Sequence, residues 1–264
     1  MTWNPQQYLA YEGERLRPAL DLLARVALAS PRTIVDLGCG AGNVTRALAA
    51  RWPGASILGV DNSASMLAKA RAAAGDFPHV AFETADIGAW APDPPVDLVY
   101  SNAALQWLPD HAALLPRVAR AVKPGGVLAV QMPRNFDAPS HVSVSTIART
   151  ERWRATLGPL VREAPVASPE QYLRWLDPLC AAIDVWETIY LQRLPARADG
   201  EHPVVAFVSG TWLTPYFERL AGDDAARAAF LADYRERIEH AYPREKDGAA
   251  LFPFRRLFVV ATRR

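Results

Sequence analysis

Polar residues stand where four apolar runs end, and their types and order describe a ligand site. Ile34-Val35-Asp36-Leu37-Gly38-Cys39-Gly40-Ala41-Gly42 reads as a buried strand entering a glycine-rich turn that opens a helix. Glycine suits such a turn because a Cβ would keep a ligand away from the backbone. Asp36 decides which ligand. A pyrophosphate seated here would be repelled by its carboxylate, and Asn43 stands where a dinucleotide fingerprint wants its third glycine. A nicotinamide-dependent oxidoreductase is disfavoured on both counts, and a cationic ligand fits. Asp61, Asp86-Ile87 and Asn102-Ala103 follow the next three apolar runs. In open parallel sheets, ligands bind beyond such strand ends.

The elements that must carry these residues alternate. A strand over 33–37 leads to a helix over about 43–52, stopped by Pro53-Gly54. A second strand spans 56–60, and Ser63 caps a helix that reaches Ala74. Strands at 79–84 and 96–101 follow, Asp110 opens a helix, and Lys123-Pro124-Gly125-Gly126 turns into a fifth strand at 127–132. Strands separated by helices of this length predict an α/β fold with a doubly wound, mostly parallel sheet. From Asn135 to Pro178 the pattern becomes helices and loops, with a cap at Ser168-Pro169. A strand resumes at 185–191, a helical block that includes a long amphipathic helix after Asp223-Asp224 fills about 202–242, and 256–262 is the last strand. Near the start, Asn4-Pro5-Gln6-Gln7 has the composition of a helix opening. Pro18 is expected to restart a helix whose apolar face is Ala19, Leu22, Leu23 and Val26. The expected organisation is one domain over 1–264. Its core sheet is 31–134, 183–194 and 255–264, with helical cap segments 1–30, 135–180 and 200–245.

Composition narrows the function classes. The 264 residues are half hydrophobic and 22% charged, as in an ordinary globular chain. A formal net charge of +1 leaves no electrostatic footprint for nucleic acid. No apolar run is long enough for a membrane span, and the opening Met1-Thr2-Trp3-Asn4-Pro5 lacks signal-peptide regions, so a cytoplasmic location is expected. Cys39 and Cys180 have no metal-site or CxxC spacing, so neither a metal centre nor a disulfide framework is expected.

An acid followed by G-x-G-x-G suits S-adenosylmethionine, which carries an ammonium and a sulfonium and no phosphate. The stretch resembles motif I of the class I S-adenosylmethionine-dependent methyltransferases. That resemblance implies a Rossmann-like, seven-stranded sheet with a helical cap inserted near its C-terminal hairpin. It also implies cofactor roles. Asp36, Gly38, Cys39 and Gly40 would hold the methionine portion, and Asp61 would accept both ribose hydroxyls. Asn62 and Met66 would flank the adenine. Asp86 would accept from the adenine amino group while Ile87 packs on the ring, and Asn102 and Ala103 would stand beside the reacting sulfonium.

A more specific likeness follows. The run Ser101-Asn102-Ala103-Ala104-Leu105-Gln106-Trp107-Leu108-Pro109-Asp110-His111 stands beside Val130-Gln131-Met132-Pro133 and Arg256-Leu257-Phe258, with Trp3-Asn4-Pro5-Gln6-Gln7-Tyr8-Leu9 at the start. Together these resemble the trans-aconitate methyltransferases, over most of the chain and least from Asn135 to Pro165. The family implies a small-molecule tricarboxylate substrate, esterified on one carboxylate with release of S-adenosylhomocysteine. A carboxylate is ionised near neutral pH and needs no strong base, which agrees with the lack of a Ser-His-Asp or Cys-His constellation. No catalytic acid, base or metal is therefore expected, and catalysis would rest on positioning and exclusion of water. Arginines suit a polycarboxylate. Arg17 and Arg256 lead Arg134, Arg174 and Arg255, with Tyr8, Trp107, Tyr190 and Tyr242 as wall residues. Two other readings stay open: a carboxyl methyltransferase acting on a malonyl-carrier protein, whose family has a similar Q-W segment, and a non-catalytic module that binds S-adenosylmethionine.

Overall fold

A computed structural model describes residues 12–75, 77–162 and 164–264. Along the chain run α1 (Glu12–Ala24), β1 (Thr33–Leu37), α2 (Asn43–Arg51), β2 (Ser56–Asp61), α3 (Ala64–Ala73), β3 (Val80–Thr84), β4 (Val96–Asn102), α4 (His111–Arg120) and β5 (Val122–Pro133). Then come α5 (Pro139–Ala148), α6 (Pro169–Leu176), β6 (Cys180–Leu194), α7 (Pro203–Ser209), α8 (Thr214–Arg219), α9 (Asp224–Ala241) and β7 (Ala250–Arg263). The chain divides into two compact units. A sheet unit comprises Gly13–Pro133, Pro165–Thr188 and Arg256–Arg264; a helical unit contains Arg134–Ala164 and Ile189–Arg255. Among the described residues no helix is long and apolar enough to cross a membrane.

The seven strands lie in the order β3-β2-β1-β4-β5-β7-β6. Strands β1 to β5 pair in parallel, and β7 pairs antiparallel with β5. This is the doubly wound sheet that the alternating pattern predicts. Ile34, Val35, Leu37, Leu98 and Val99 are buried because helices cover both faces of its centre. The strand order reverses between β1 and β4, which is where such sheets open a crevice for a ligand. On one face the Tyr100 hydroxyl donates to the Ala19 carbonyl of α1. Phe258 stacks on Trp186 with ring centroids 4.9 Å apart, and the Arg25 guanidinium lies over Trp186.

The helical unit has its own core. Val144 and Ile147 of α5, Val204, Val205 and Val208 of α7, and Phe230, Tyr234 and Ile238 of α9 pack with Phe252 and Phe254. The spacing of 230, 234 and 238 puts those three on one face of α9. Two phenols tie α9 and the residue after it to α5. Tyr234 donates to the Ser140 carbonyl at 2.8 Å, and the Tyr242 hydroxyl accepts from the Ser140 N–H at 3.2 Å.

Several sequence expectations need correction. Helix α1 runs through Pro18 rather than restarting there. The missing backbone bond is tolerated because Ala19, Leu22 and Leu23 bury a continuous face around it. Lys123-Pro124-Gly125-Gly126 is not a turn but part of β5, taken up as an irregularity where the pairing jumps from Val96–Val122 to Leu98–Val127. Strands β6 and β7 extend well beyond their expected spans, to Cys180–Leu194 and Ala250–Arg263; over 189–194 and 250–254 exposed and buried positions alternate, so these parts are half-buried strand rather than a continuous buried run. Helix α1 from Gly13 onward and helix α6 lie in the sheet unit. The expected helix start at Asn4 lies outside the described residues.

Asp97 fastens β1 to β4. It accepts from the N–H groups of Arg32 and Thr33 at 2.8 Å each, from the Thr33 hydroxyl at 2.9 Å and from Lys123 Nζ at 3.0 Å. Burial alone would raise this carboxyl, but these donors outweigh it and hold it at about 2. A depressed value means that the stabilisation is complete above the ordinary carboxylate range and is lost as pH falls from about 4 through about 2. Asp97→Asn should cost about 1–3 kcal/mol at neutral pH and should shrink the loss of stability between pH 4 and 2. Urea unfolding at several pH values checks both; an unchanged acid limb would remove Asp97 from this role.

Candidate active site

The loop after β1 is built by backbone constraint. Gly38, Gly40 and Gly42 all have positive φ, at 82°, 54° and 78°. A methyl group at Gly38 would lie 2.1 Å from the Ala104 Cβ and 3.5 Å from Ile87 Cδ1. At Gly42 it would crowd Ala70 and Phe82 at 3.1 and 3.2 Å. Glycine at 38 and 42 is thus demanded by close packing of the protein on itself, a reason the sequence reading did not contain. The Gly38 and Cys39 N–H groups both donate to the Val60 carbonyl, at 2.7 and 3.0 Å. This brings the loop against the end of β2.

Asp61 ends β2 with both carboxylate oxygens engaged. Oδ2 accepts from the Gly40 N–H at 2.9 Å, and Oδ1 from the Ser63 N–H at 2.8 Å. Each oxygen keeps a lone pair for a ligand hydroxyl. Ser63 caps α3, so Asn62 and Met66 stand at that helix start. Asn62 is exposed and Met66 is buried, with its Cε 3.5 Å from where a Gly40 Cβ would be. Asp86 is exposed and accepts from the Gly88 N–H at 2.8 Å. Arg117 of α4 steadies that loop by donating to the Trp90 carbonyl at 2.6 Å and to the Gly88 carbonyl. Asp36, the Gly38–Gly42 loop, Asp61, Met66, Ile87 and Ala103-Ala104 therefore gather at one end of the sheet unit.

Asp36 is 1% exposed and accepts from the Thr45 hydroxyl at 2.6 Å. Burial raises its carboxyl to about 7; the Thr45 bond opposes the rise and the Asp61 carboxylate adds to it. The site thus holds a near-neutral acid that a cation would ionise. Burial and the same two carboxylates push the Cys39 thiol far above its ordinary value, so it is no nucleophile.

Among the described residues two non-glycines have positive φ, Ala103 at 53° and Asp110 at 51°, and they bracket the Q-W segment. Strain of this kind persists only where neighbours enforce it. Ala103 is held by its own N–H, which donates to the Gln131 carbonyl at 2.9 Å, and by Gln106 Nε2, which donates to the Ala103 carbonyl at 2.7 Å. His111 is structural: Nε2 donates to the Leu105 carbonyl at 2.9 Å, so Nδ1 accepts from the Tyr172 hydroxyl. Trp107 stands out from this anchored turn, 61% exposed. Among the described residues the buried Asn102 Oδ1 has no donor, which leaves an acceptor for a ligand at the end of β4.

The expected acceptor-site residues are scattered. Tyr8 lies outside the described residues. Arg17 is exposed, with Asp21 at 4.0 Å. Arg256 is 5% exposed in β7, opposite Pro133 of β5. Tyr242 is buried in the core of the helical unit. In the same unit Tyr190 is buried and Arg255 pairs with Asp137 at 2.8 Å. Arg174 is exposed on α6.

Comparison with known proteins agrees with this geometry. A family described as a methyltransferase domain matches residues 34–126, the stretch that holds β1 to β4 and the glycine loop. A protein of Azoarcus sp. (strain BH72) named trans-aconitate 2-methyltransferase is 48% identical over 99% of this chain and 99% of its own. The chain belongs to the trans-aconitate 2-methyltransferase family. A family member of Streptomyces coelicolor is also 48% identical, over 98% of this chain and 86% of its own. The family shares its fold with more distant solved structures. The YcgJ protein of Bacillus subtilis has a TM-score of 0.59 at 16% identity, covering 94% of this chain and 99% of its own. Haemonchus contortus phosphoethanolamine N-methyltransferase 2, solved with phosphomonomethylethanolamine and S-adenosylhomocysteine, has a TM-score of 0.54 at 18% identity, covering 94% and 52%. Both likenesses are likenesses of fold.

The raised Asp36 carboxyl carries a sign. Between pH 4 and 7 the folded chain holds a proton there that the unfolded chain lacks. Its contribution to stability is complete below about pH 4 and is lost as pH rises through about 7. Without cofactor, Asp36→Asn should melt with a weaker pH dependence between 5 and 7.5 than the parent. Scanning calorimetry across that range checks this, and parallel curves would show that Asp36 ionises normally.

Proposed function

We propose that this chain transfers the methyl group of S-adenosylmethionine to one carboxylate of trans-aconitate, giving the monomethyl ester and S-adenosylhomocysteine. The observation that carries the reading is near-full-length identity of 48% to a protein named for that reaction. The site's chemistry supports it. Bound, the cofactor supplies an electrophilic methyl group on a sulfonium. Asp61, its oxygens oriented by the Gly40 and Ser63 N–H groups, accepts the ribose hydroxyls. Met66 and Asn62 border the adenine, with Ile87 on the ring and Asp86 at its amino group. Asp36 supplies negative charge under the methionine portion, beside Gly38, Cys39 and Gly40. Asn102 and Ala103 end the strand nearest the reacting group.

The chain's residues then have a positioning task. The acceptor carboxylate is ionised already, so no side chain must remove a proton. Held in line with the methyl–sulfur bond, it gains from proximity and orientation. Arg256, buried in the sheet unit, is suited to meet a substrate carboxylate with its planar fork. Arg17 and Trp107, in the same unit, complete the acceptor set proposed there.

Labelled S-adenosylmethionine offered with trans-aconitate, other di- and tricarboxylates and a malonyl-carrier protein tests the reading. Turnover on trans-aconitate with the ester seen by mass spectrometry supports it. Turnover on the carrier alone, or cofactor binding with no turnover on any acid, overturns it. Within this reading, Asp61→Ala should weaken S-adenosylmethionine binding about ten- to a hundredfold, the loss of roughly 1.5–3 kcal/mol of bonds to a charged group. Titration calorimetry reads the change, and an unaltered dissociation constant would withdraw the ribose assignment.

A further inference from the structure

Gln131 lies on β5 with Asn102 of β4 as its register partner on one side and Phe258 of β7 on the other. It is fully buried, yet among the described residues neither its Nε2 nor its Oε1 has a hydrogen-bond partner. Its chain neighbours Val130 and Met132 are also fully buried, so the position would ordinarily favour another apolar residue. Buried polar groups are nearly always paired, and each exception needs a reason.

Two more unpartnered atoms lie beside it. Among the described residues, Asn102 Oδ1 and Gln106 Oε1 are buried without donors. The three residues are joined at one bend, because Gln106 Nε2 holds the Ala103 carbonyl while the Ala103 N–H holds the backbone carbonyl of Gln131. The row runs from the fully buried Gln131 to Asn102, which is only partly buried. Residues 256 and 258 of β7 point to the same face, since side chains alternate along a strand. That face therefore gathers the Gln131 amide and the buried Arg256. An amide donor beside a guanidinium is the chemistry of anion recognition.

We infer that Gln131 is a specificity-determining residue for the acceptor, its Nε2 donating to a carboxylate of the polycarboxylate beside Asn102 and Arg256. This rests on the function proposed above and adds a residue to its site. A neutral donor orients the carboxylate without neutralising it. An acceptor lacking that carboxylate leaves the buried amide unpaired and is rejected for that reason.

The test uses the full chain with Gln131→Leu and, as a volume-conserving second variant, Gln131→Met. In steady-state assays both should raise the KM for trans-aconitate about ten- to a hundredfold while the S-adenosylmethionine dissociation constant stays within about threefold. Without ligands, both should melt at the parent temperature or about 2–4 °C higher, because an unpaired buried amide has gone. An unchanged trans-aconitate KM in either folded variant overturns the inference. So does an equal loss of cofactor affinity, which would place Gln131 in the cofactor's site. A fall of more than about 5 °C in both variants also overturns it, since the amide would then be supporting the sheet. If the parent chain turns over no trans-aconitate, the proposed function fails and this inference with it. Parent turnover with unchanged variant KM removes the inference alone.

Discussion

There is no room for a side chain at Gly38, and much of the site depends on that contact. The end of β1 and the bend after β4 approach so closely that a Cβ would fall 2.1 Å from that of Ala104. The same approach lets Ile87 reach the glycine loop from the end of β3. With Gly38 in the left-handed region, its N–H and that of Cys39 turn back onto Val60. That places Gly40 where Asp61 can take its N–H. A single absent methyl group thus draws the ends of β1, β2, β3 and β4 to one place, the crevice opened by the reversal of strand order.

Charge is the second constraint. Asp36 and Asp61 stand close enough for one to raise the carboxyl of the other, and Asp36 is also fully desolvated. Two carboxylates arranged in this way disfavour anionic ligands and await a cation. The Thr45 hydroxyl keeps Asp36 oriented whether or not it carries its proton. A cation on this side of the sheet would draw the proton off, so proton release and cation binding are linked.

Much of this was legible in the sequence because strand ends in an alternating fold are marked by the first polar residue after an apolar run. Asp36, Asp61, Asp86 and Asn102 were each visible that way, and the sheet that carries them follows from the spacing of the runs. Other features were not legible. Pro18 looks like a helix boundary, but tertiary burial of Ala19 and Leu22 overrides the local preference. Lys123-Pro124-Gly125-Gly126 looks like a turn, but the flanking Val122 and Val127 pair with Val96 and Leu98, which are distant in sequence. Both ring nitrogens of His111 are committed, to Leu105 and Tyr172, which no spacing in the sequence reveals because Tyr172 lies 61 residues away. Gln131 was quoted only as part of a resemblance. The available signal was a lone amide inside a strand of otherwise buried apolar residues.

The chemistry explains why amides, rather than acids and bases, crowd the ends of β4 and β5. A carboxylate acceptor brings its own nucleophilic oxygen at neutral pH, so proton transfer is not the difficulty. The difficulty is to hold an anion close to a sulfonium without quenching it. A tight ion pair to every carboxylate would spend the oxygen's electron density on the protein. Water would do the same through solvation. In the proposed site, Asn102, Gln106 and Gln131 would offer direction at low charge, and the bond from Gln106 Nε2 to the Ala103 carbonyl fixes one of them at the bend after β4. In the proposed site full charge is kept for Arg256, whose guanidinium would take a carboxylate other than the one that reacts. The strained left-handed residue at 103 is then the cost of placing three amides within reach of one bend, and its neighbours hold it there.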